Sequence, residues 1–247
     1  MCTLTWRYNN SGDGYALFFN RDELKTRQRA APPSRKFTAS GVAYLAPTDA
    51  DAGGTWLAVN QFGLTICLLN NYAAPEPGHD DVVSRGEVVT ALAGSESIDD
   101  FMDSLEKLPL QRFRGFELVV FANTVAHWRW DTRRLERLPA EMPITSSSYE
   151  TGGVQAVRRE FFERVGAQGD LAALEHFHCC HIDHELHEIS GQPLAVSSVC
   201  MHREFAQTVS QSFVQVWPEQ VSISYTDGPP CENRAGAPLL LQRRVCA

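Results

Sequence analysis

Cys2 is the residue whose type and position could do the most chemistry. It follows Met1, and an initiator methionine is generally removed when the second side chain is small. Removal would leave a cysteine carrying a free α-amine, a group with a reference pKa of about 7.7–8.0. Such an amine can take the proton of its own thiol, and even unassisted cysteine is a few per cent thiolate at neutral pH. The chemistry this predicts is attack on a carbonyl carbon and formation of an acyl-enzyme. Read alone, Cys2 fits better as a strand cysteine that happens to stand second.

A second constellation runs His176-Phe177-His178-Cys179-Cys180-His181-Ile182-Asp183-His184-Glu185-Leu186-His187 and gathers five of the eight histidines. Imidazole and thiolate are ligands of zinc, copper and haem. His178, Cys180, His181 and His184 would be the ligand set. Their spacing matches no closed zinc pattern, and the His-Glu-x-x-His motif is absent. Solvated histidines near a helix end are therefore expected, with no metal.

The elements that must position these residues follow from periodicity. In residues 2–8 Cys2, Leu4, Trp6 and Tyr8 fall on one face, a strand pattern. Asn9 to Gly14 is dense turn chemistry, and residues 15–19 are a second strand. An antiparallel hairpin returns Asn20-Arg21-Asp22-Glu23 to the neighbourhood of Cys2. Residues 25–40, with Pro32-Pro33, are predicted as a long loop. A short strand at 42–45 precedes a hairpin of 55–60 and 64–69, and 72–81 is loop. Ser84-x-x-Glu87 reads as a capping box opening a helix to about residue 93. Ser97 caps a second helix to about 108, with Ile98, Phe101, Met102 and Leu105 on one face. Residues 116–122 and 125–130 form a third hairpin. Helices are expected at 154–165 and 171–180, and strands at 196–202, 208–216 and 221–225.

Strictly alternating βαβ units are absent, which disfavours a Rossmann or barrel fold. An α+β arrangement of two antiparallel sheets with helices packed outside fits the order. No repeat, low-complexity tract or linker divides residues 1–247, so one domain is expected.

Composition narrows the function classes. The 247 residues carry 22 basic and 30 acidic side chains, a net charge of −8. Nucleic-acid and anionic-membrane binding rely on clustered Lys and Arg, so neither partner is expected. No apolar run reaches the roughly 18 residues of a spanning helix, so integral membrane association is not expected. The N-terminus lacks the pattern of a secretory signal. Seven cysteines form an odd set without small-domain spacing, which favours reduced thiols and a cytoplasmic location.

Met1-Cys2 opening a strand, the tight hairpin and Asn20-Arg21-Asp22-Glu23 together resemble the NRDE family, relatives of the transport-and-Golgi-organisation protein. The resemblance continues in Gly53-Gly54-Thr55-Trp56-Leu57-Ala58-Val59-Asn60 with Gly63, and in Leu69-Asn70-Asn71. Val199-Cys200-Met201-His202-Arg203 and Gly228-Pro229-Pro230-Cys231 look like a bacterial branch of it. It is densest in residues 1–71, and 80–195 carries little of it. The resemblance implies a four-layer αββα sandwich of the N-terminal-nucleophile hydrolase type.

More distantly the chain is similar to the cysteine amidases that cleave penicillin V and conjugated bile salts. There an Arg sits beside the thiol and an Asp holds the α-amine, which implies those roles for Arg21 and Asp22. A guanidinium lowers a thiol pKa, and a carboxylate orients an amine and favours its protonated form. In the amidases the two are separated, whereas here they are adjacent. Neighbours on a strand point to opposite faces, so both reach Cys2 only if the chain has left strand geometry. Asn70 and Asn71 follow a strand and could donate to an oxyanion, although turn-forming asparagine has the same signature. Asn20, Glu23, Trp56 and His202 complete the expected substrate-binding set, His202 as a proton carrier near neutrality.

Two functions follow. One is a cysteine N-terminal-nucleophile hydrolase acting on a non-peptide amide bond of a small molecule after loss of Met1. The other is a non-catalytic carrier of haem or an acyl or lipid ligand on the same fold, since eukaryotic relatives are linked to haem movement and acyl-coenzyme A handling. No cofactor is expected, and haem would enter only as that carrier's ligand.

Overall fold

The computed structural model describes residues 1–78, 81–149, 151–167, 169–181 and 197–244. In chain order the first half holds β1 (Cys2–Tyr8), β2 (Tyr15–Leu24), β3 (Ala31–Phe37), β4 (Ala43–Thr48), β5 (Leu57–Asn60), β6 (Thr65–Asn70), α1 (Gly86–Leu92) and α2 (Ile98–Leu105). The second half holds β7 (Phe116–Phe121), β8 (Val125–Trp130), β9 (Leu135–Leu138), β10 (Ile144–Ser146), α3 (Thr151–Val165), α4 (Leu171–Cys179), β11 (Ala206–Val216), β12 (Gln220–Asp227) and β13 (Leu239–Gln242). Among the described residues no helix is long and apolar enough to cross a membrane.

Two antiparallel sheets result, ordered β10-β1-β2-β11-β12-β13 and β3-β4-β5-β6-β7-β8-β9. Between them lies one apolar core, to which Leu4, Trp6, Leu17 and Phe19 of the first sheet and Leu45, Leu57, Val59, Leu69 and Phe121 of the second contribute. Burying each such side chain contributes about 1.5–3 kcal/mol. The outer face of the second sheet packs Ile66, Leu68 and Val120 against Val88 and Val89 of α1 and Phe101 of α2. On the other side Phe18 packs against Phe161, Phe162, Leu174 and Phe177 of α3 and α4. The four layers run helix, sheet, sheet, helix, the α+β sandwich expected from the order of elements.

β2 is longer than its apolar run. Sequence hydrophobicity stops at Phe19, yet the strand continues to Leu24. It lies between β1 and β11, so the ladder carries on: Arg21 pairs with Cys2, and Asp22 with Thr208. Asn20, Arg21 and Asp22 are buried and Glu23 is half-buried, each with partners on its own side of the sheet.

Three expectations are corrected, and three short strands are added. Residues 31–37 are a strand, not a loop. β3 is exposed and edges its sheet, where proline is tolerated because one side needs no donor, and its register shifts between Ala31 and Ser34. The capping box does not form: α1 starts at Gly86 with Arg85 before it and no side-chain cap. Ser84 Oγ accepts instead from the Gly86 N–H at 3.3 Å, and the Glu87 N–H goes to the Ser84 carbonyl at 3.0 Å; the start of α1 lies close against the 54–55 backbone, where a Cβ on Gly86 would lie 2.7 Å from the Thr55 nitrogen. Residues 197–202 form no strand, only a single bridge of His202 to Gln207; Val196 lies outside the described residues. The carbonyls there are claimed by side chains, as the next section shows. β9, β10 and β13, four, three and four residues long, were too short to show periodicity. The Ser97 cap forms as expected, its Oγ accepting from the Asp100 N–H at 3.1 Å.

Candidate active site

Alternation along β2 divides Asn20-Arg21-Asp22-Glu23 between two sides of the first sheet. Arg21 and Glu23 share the inner face with Cys2. Asn20 and Asp22 share the outer face with the α3–α4 layer. Every local contact follows from that split.

On the inner face Cys2 and Arg21 are directly opposed partners and both are buried. They line an open cavity of about 630 Å³ at one end of the intersheet core, together with Glu23, Trp56, Asn70 and Arg85. Arg21 lies over the Trp56 ring, 4.3 Å from its centroid. Its Nη2 donates to Asp49 Oδ2 at 2.9 Å and to Glu23 Oε2 at 3.4 Å. Arg27 ties the same two carboxylates together, at 2.7 Å to Asp49 and 3.2 Å to Glu23. The guanidinium of Arg21 is thus held by a stacked ring and two carboxylates. The indole N–H of Trp56 is buried without an acceptor among the described residues.

The Cys2 thiol is not a thiolate in this arrangement. Burial pushes its pKa up to about 11. The terminal ammonium and Arg21 pull it down, Asp22 and Glu23 push it up, and burial outweighs them all. The lowering by Arg21 has the expected sign but is outweighed by burial. Met1 itself is buried, its amine donating to the Asp22 carbonyl at 3.0 Å and to Tyr72 Oη at 3.3 Å. The Asp22 N–H returns a bond to the Met1 carbonyl at 2.8 Å.

The Asp22 carboxylate does not hold the amine; its backbone does. Facing outward, Asp22 Oδ1 accepts from Thr208 Oγ1 at 2.6 Å, and Oδ2 stands 3.6 Å from Arg158 Nη2. Arg158 is fully buried and gives its remaining donors to Thr3 and Thr145 hydroxyls and to the Ser197 and Ser198 carbonyls. Asn20 also faces outward: Nδ2 donates to the His178 and Val199 carbonyls at 2.8 and 3.3 Å, and Gln211 donates to its Oδ1.

Asn70 lines the cavity, donating from Nδ2 to Tyr72 Oη at 2.9 Å. An amide nitrogen has two hydrogens, and among the described residues the second has no acceptor. Asn71 turns away, bonding the Trp130 carbonyl and closing a turn to the Ala73 N–H, so it is the turn asparagine of the pair.

His202 does not reach Cys2. It lines a neighbouring cavity of about 750 Å³ with Met1, Leu24, Tyr72, Tyr149 and Phe205. The histidine-rich segment does not assemble as one ligand set either. His178 is buried, with Nε2 at 2.9 Å from Thr5 Oγ1, and burial followed by the Arg158 charge pushes its pKa down to about 3. It stays neutral and enclosed. Cys180 Sγ is 3.2 Å from His176 Nε2. His181 lies instead near Cys200, His202 and Cys231. His184 and His187 are outside the described residues.

Three residues at the site escaped the sequence reading. Arg158 had a signal: it occupies the same face of α3 as Val154, Val157, Phe161 and Phe162, where an arginine is anomalous. Tyr72 and Arg85 sit in irregular or helix-opening positions with no periodic signal. Arg85 donates to the Gly115 carbonyl at 3.2 Å and has no carboxylate within ion-pair distance among the described residues, unlike Arg21, Arg27 and Arg114 on the same walls.

The family described as Transport and Golgi organisation 2 matches residues 1–218. No curated protein matches the chain in sequence. Among solved structures, a penicillin V acylase from Agrobacterium tumefaciens superposes with a TM-score of 0.53 at 11% identity, over 92% of this chain and 86% of that one. A mutant conjugated bile acid hydrolase from Clostridium perfringens gives 0.53 at 11% identity over 100% and 97%. A second variant of that hydrolase gives 0.51 at 12% identity over 99% and 97%. These likenesses show an N-terminal-nucleophile-hydrolase-like fold.

Proposed function

The chain belongs to the Transport and Golgi organisation 2 family, and from that premise we propose that it hydrolyses a non-peptide amide bond of a small molecule through Cys2 once Met1 has been removed. The observation that carries the reading is the direct opposition of Cys2 and Arg21 in an open cavity whose edge holds the chain's own amine. The solved structures most worth setting beside it are an acylase and a bile acid hydrolase.

Loss of Met1 changes three things at once. It uncovers the thiol, removing part of the desolvation that keeps it neutral. It moves the amine to Cys2 itself. It also breaks both bonds between Met1 and the Asp22 backbone, leaving the Asp22 N–H and carbonyl free to face the amine or a substrate. Met1, Asp22 and Glu23 line both cavities, so Met1 is part of the partition between them. Without it the two form one groove, with Arg85 at one end and the exposed Leu24, Tyr149 and Phe205 at the other. Such a groove suits a substrate with an apolar portion and an anionic end.

In this mechanism the Cys2 amine takes the thiol proton and the sulfur attacks the amide carbonyl carbon. The second hydrogen of Asn70 Nδ2 and the freed Asp22 N–H, both on the cavity wall, would donate to the oxyanion. The ammonium returns the proton to the leaving nitrogen as the C–N bond breaks. Water, deprotonated by the same amine, then cleaves the thioester and releases the acid. Arg21, pinned by Asp49, Glu23 and Trp56, supplies fixed positive charge beside the sulfur.

The test is the intact mass of protein carrying no N-terminal tag, followed by turnover of a panel of N-acyl amino acids and acyl amines. A mass short by one methionine, with amide turnover lost in Cys2→Ala, supports the reading. A retained Met1, or turnover undiminished in Cys2→Ala, overturns it.

A further inference from the structure

We infer that His181, Cys200, His202 and Cys231 form a binding site for one zinc-type divalent ion, separate from the Cys2 cavity. One ligand atom from each residue can be chosen so that all four lie within 4.8 Å of one another. Cys231 Sγ is 3.1 Å from His202 Nε2, Cys200 Sγ is 3.3 Å from Cys231 Sγ, and Cys200 Sγ is 3.8 Å from His202 Nε2. A tetrahedral ion with metal–sulfur bonds of about 2.3 Å and metal–nitrogen bonds of about 2.0–2.1 Å holds its ligand atoms about 3.3–3.8 Å apart. The side chains are therefore within a few tenths of an ångström of that spacing for three pairs, with no ion between them.

The donors come from three separate pieces of chain. His181 follows the end of α4, Cys200 and His202 sit on the irregular segment before β11, and Cys231 sits on the turn after β12. No local periodicity brings them together; the tertiary fold does. Two thiols and two imidazoles are the donor set of a closed tetrahedral zinc site. A porphyrin iron takes protein ligands only along its axis, so four donors converging on one point fit a bare ion and not haem. The sulfurs stand well beyond the roughly 2.05 Å of a disulfide.

The surroundings agree with this. With Nε2 turned to the thiols, His202 Nδ1 faces Glu232 Oε1 at 3.8 Å, the outer carboxylate that commonly orients a ligating histidine. Cys200 is buried, its N–H donating to the Cys180 carbonyl at 3.1 Å, whereas His181 and Cys231 are exposed and leave a path for entry. Four protein donors leave no open position, so the ion would be structural. It would fasten the segment whose Ser197 and Ser198 carbonyls hold Arg158 and whose Val199 carbonyl holds Asn20.

The test uses full-length, untagged, reduced protein and Co2+ as an optical probe, with Zn2+ in competition. The expected result is one equivalent of Co2+ giving tetrahedral d–d bands with a thiolate charge-transfer band, displaced by Zn2+. Cys231→Ser, at an exposed position where folding is not at risk, should weaken Co2+ binding more than the about 10–100-fold typical of losing an outer partner. Glu232→Gln should weaken it within that range. Absence of a one-equivalent tetrahedral spectrum, or Co2+ affinity unchanged by Cys231→Ser, overturns the proposal. Neither outcome depends on whether Cys2 is catalytic.

Discussion

Cys2 and Arg21 face each other as register partners across β1 and β2, while Asp22, one residue further, lies on the other side of the sheet against Arg158. Adjacent members of one sequence motif thus serve two layers. Arg21 shapes the cavity, and Asp22 fastens the sheet to α3 while lending only its backbone to the amine.

The first prediction concerns the thiol. With Met1 retained, as in protein made while methionine removal is inhibited, Cys2 should alkylate slowly at neutral pH and gain rate only on approach to pH 11. In processed protein the inflection should move down by at least one pH unit. The pH dependence of iodoacetamide labelling, read by mass spectrometry at Cys2, checks this; identical profiles for the two forms would remove the activating role given to processing.

Substitution of the nucleophile should separate chemistry from binding. Cys2→Ala is expected to abolish amide turnover while still binding substrate. Cys2→Ser should retain a small residue of it, since a hydroxyl next to the same amine is a weaker nucleophile. Steady-state kinetics on one responsive substrate decides.

Arg85 offers a test of the groove. Arg85→Gln should raise KM for an anionic amide about tenfold or more, the effect of losing a hydrogen bond to a charged group of about 1.5–3 kcal/mol, with kcat little changed. A neutral analogue of the same amide should not notice the change. Equal losses on both substrates would assign Arg85 a structural role instead.

The buried Asp22–Arg158 pair should behave as a unit. Removing one partner leaves the other charged and unpaired in the interior, at a cost of about 3–5 kcal/mol. Asp22→Asn and Arg158→Met should each lose that much in urea unfolding, and the double variant should lose clearly less than their sum. Full additivity would mean the two side chains do not interact.

His178 gives the fold an acid limb. In the unfolded chain it takes up a proton below its ordinary 6.5, but in the fold only near 3. Its folded pKa is depressed, so this stability is present above pH 6.5 and is lost as pH falls toward 3. The slope is at most about 1.36 kcal/mol per pH unit. His178→Gln, which keeps a polar partner for Thr5, should flatten urea-unfolding stability between pH 6.5 and 4 relative to the parent chain. Parallel curves would show that His178 does not carry the effect.

The sequence by itself determined the β1–β2 hairpin, the two hairpins that follow it, the Ser97-capped helix and the two helices expected at 154–165 and 171–180, because apolar spacing and turn residues act over a few positions. It also placed Arg21 beside Cys2, since an antiparallel hairpin fixes which end returns to which. Only the tertiary structure decided the rest. β2 runs through its polar extension because β11 supplies a ladder and Arg158 and Thr208 supply partners, and all of these come from more than a hundred and thirty residues away. β3 forms at an exposed edge where hydrophobicity leaves no trace. His178 and His181, three positions apart, part company because one enters the helix–sheet layer and the other meets Cys200, His202 and Cys231. Local periodicity specifies elements; long-range packing chooses which polar side chains meet, and at this site those meetings are the chemistry.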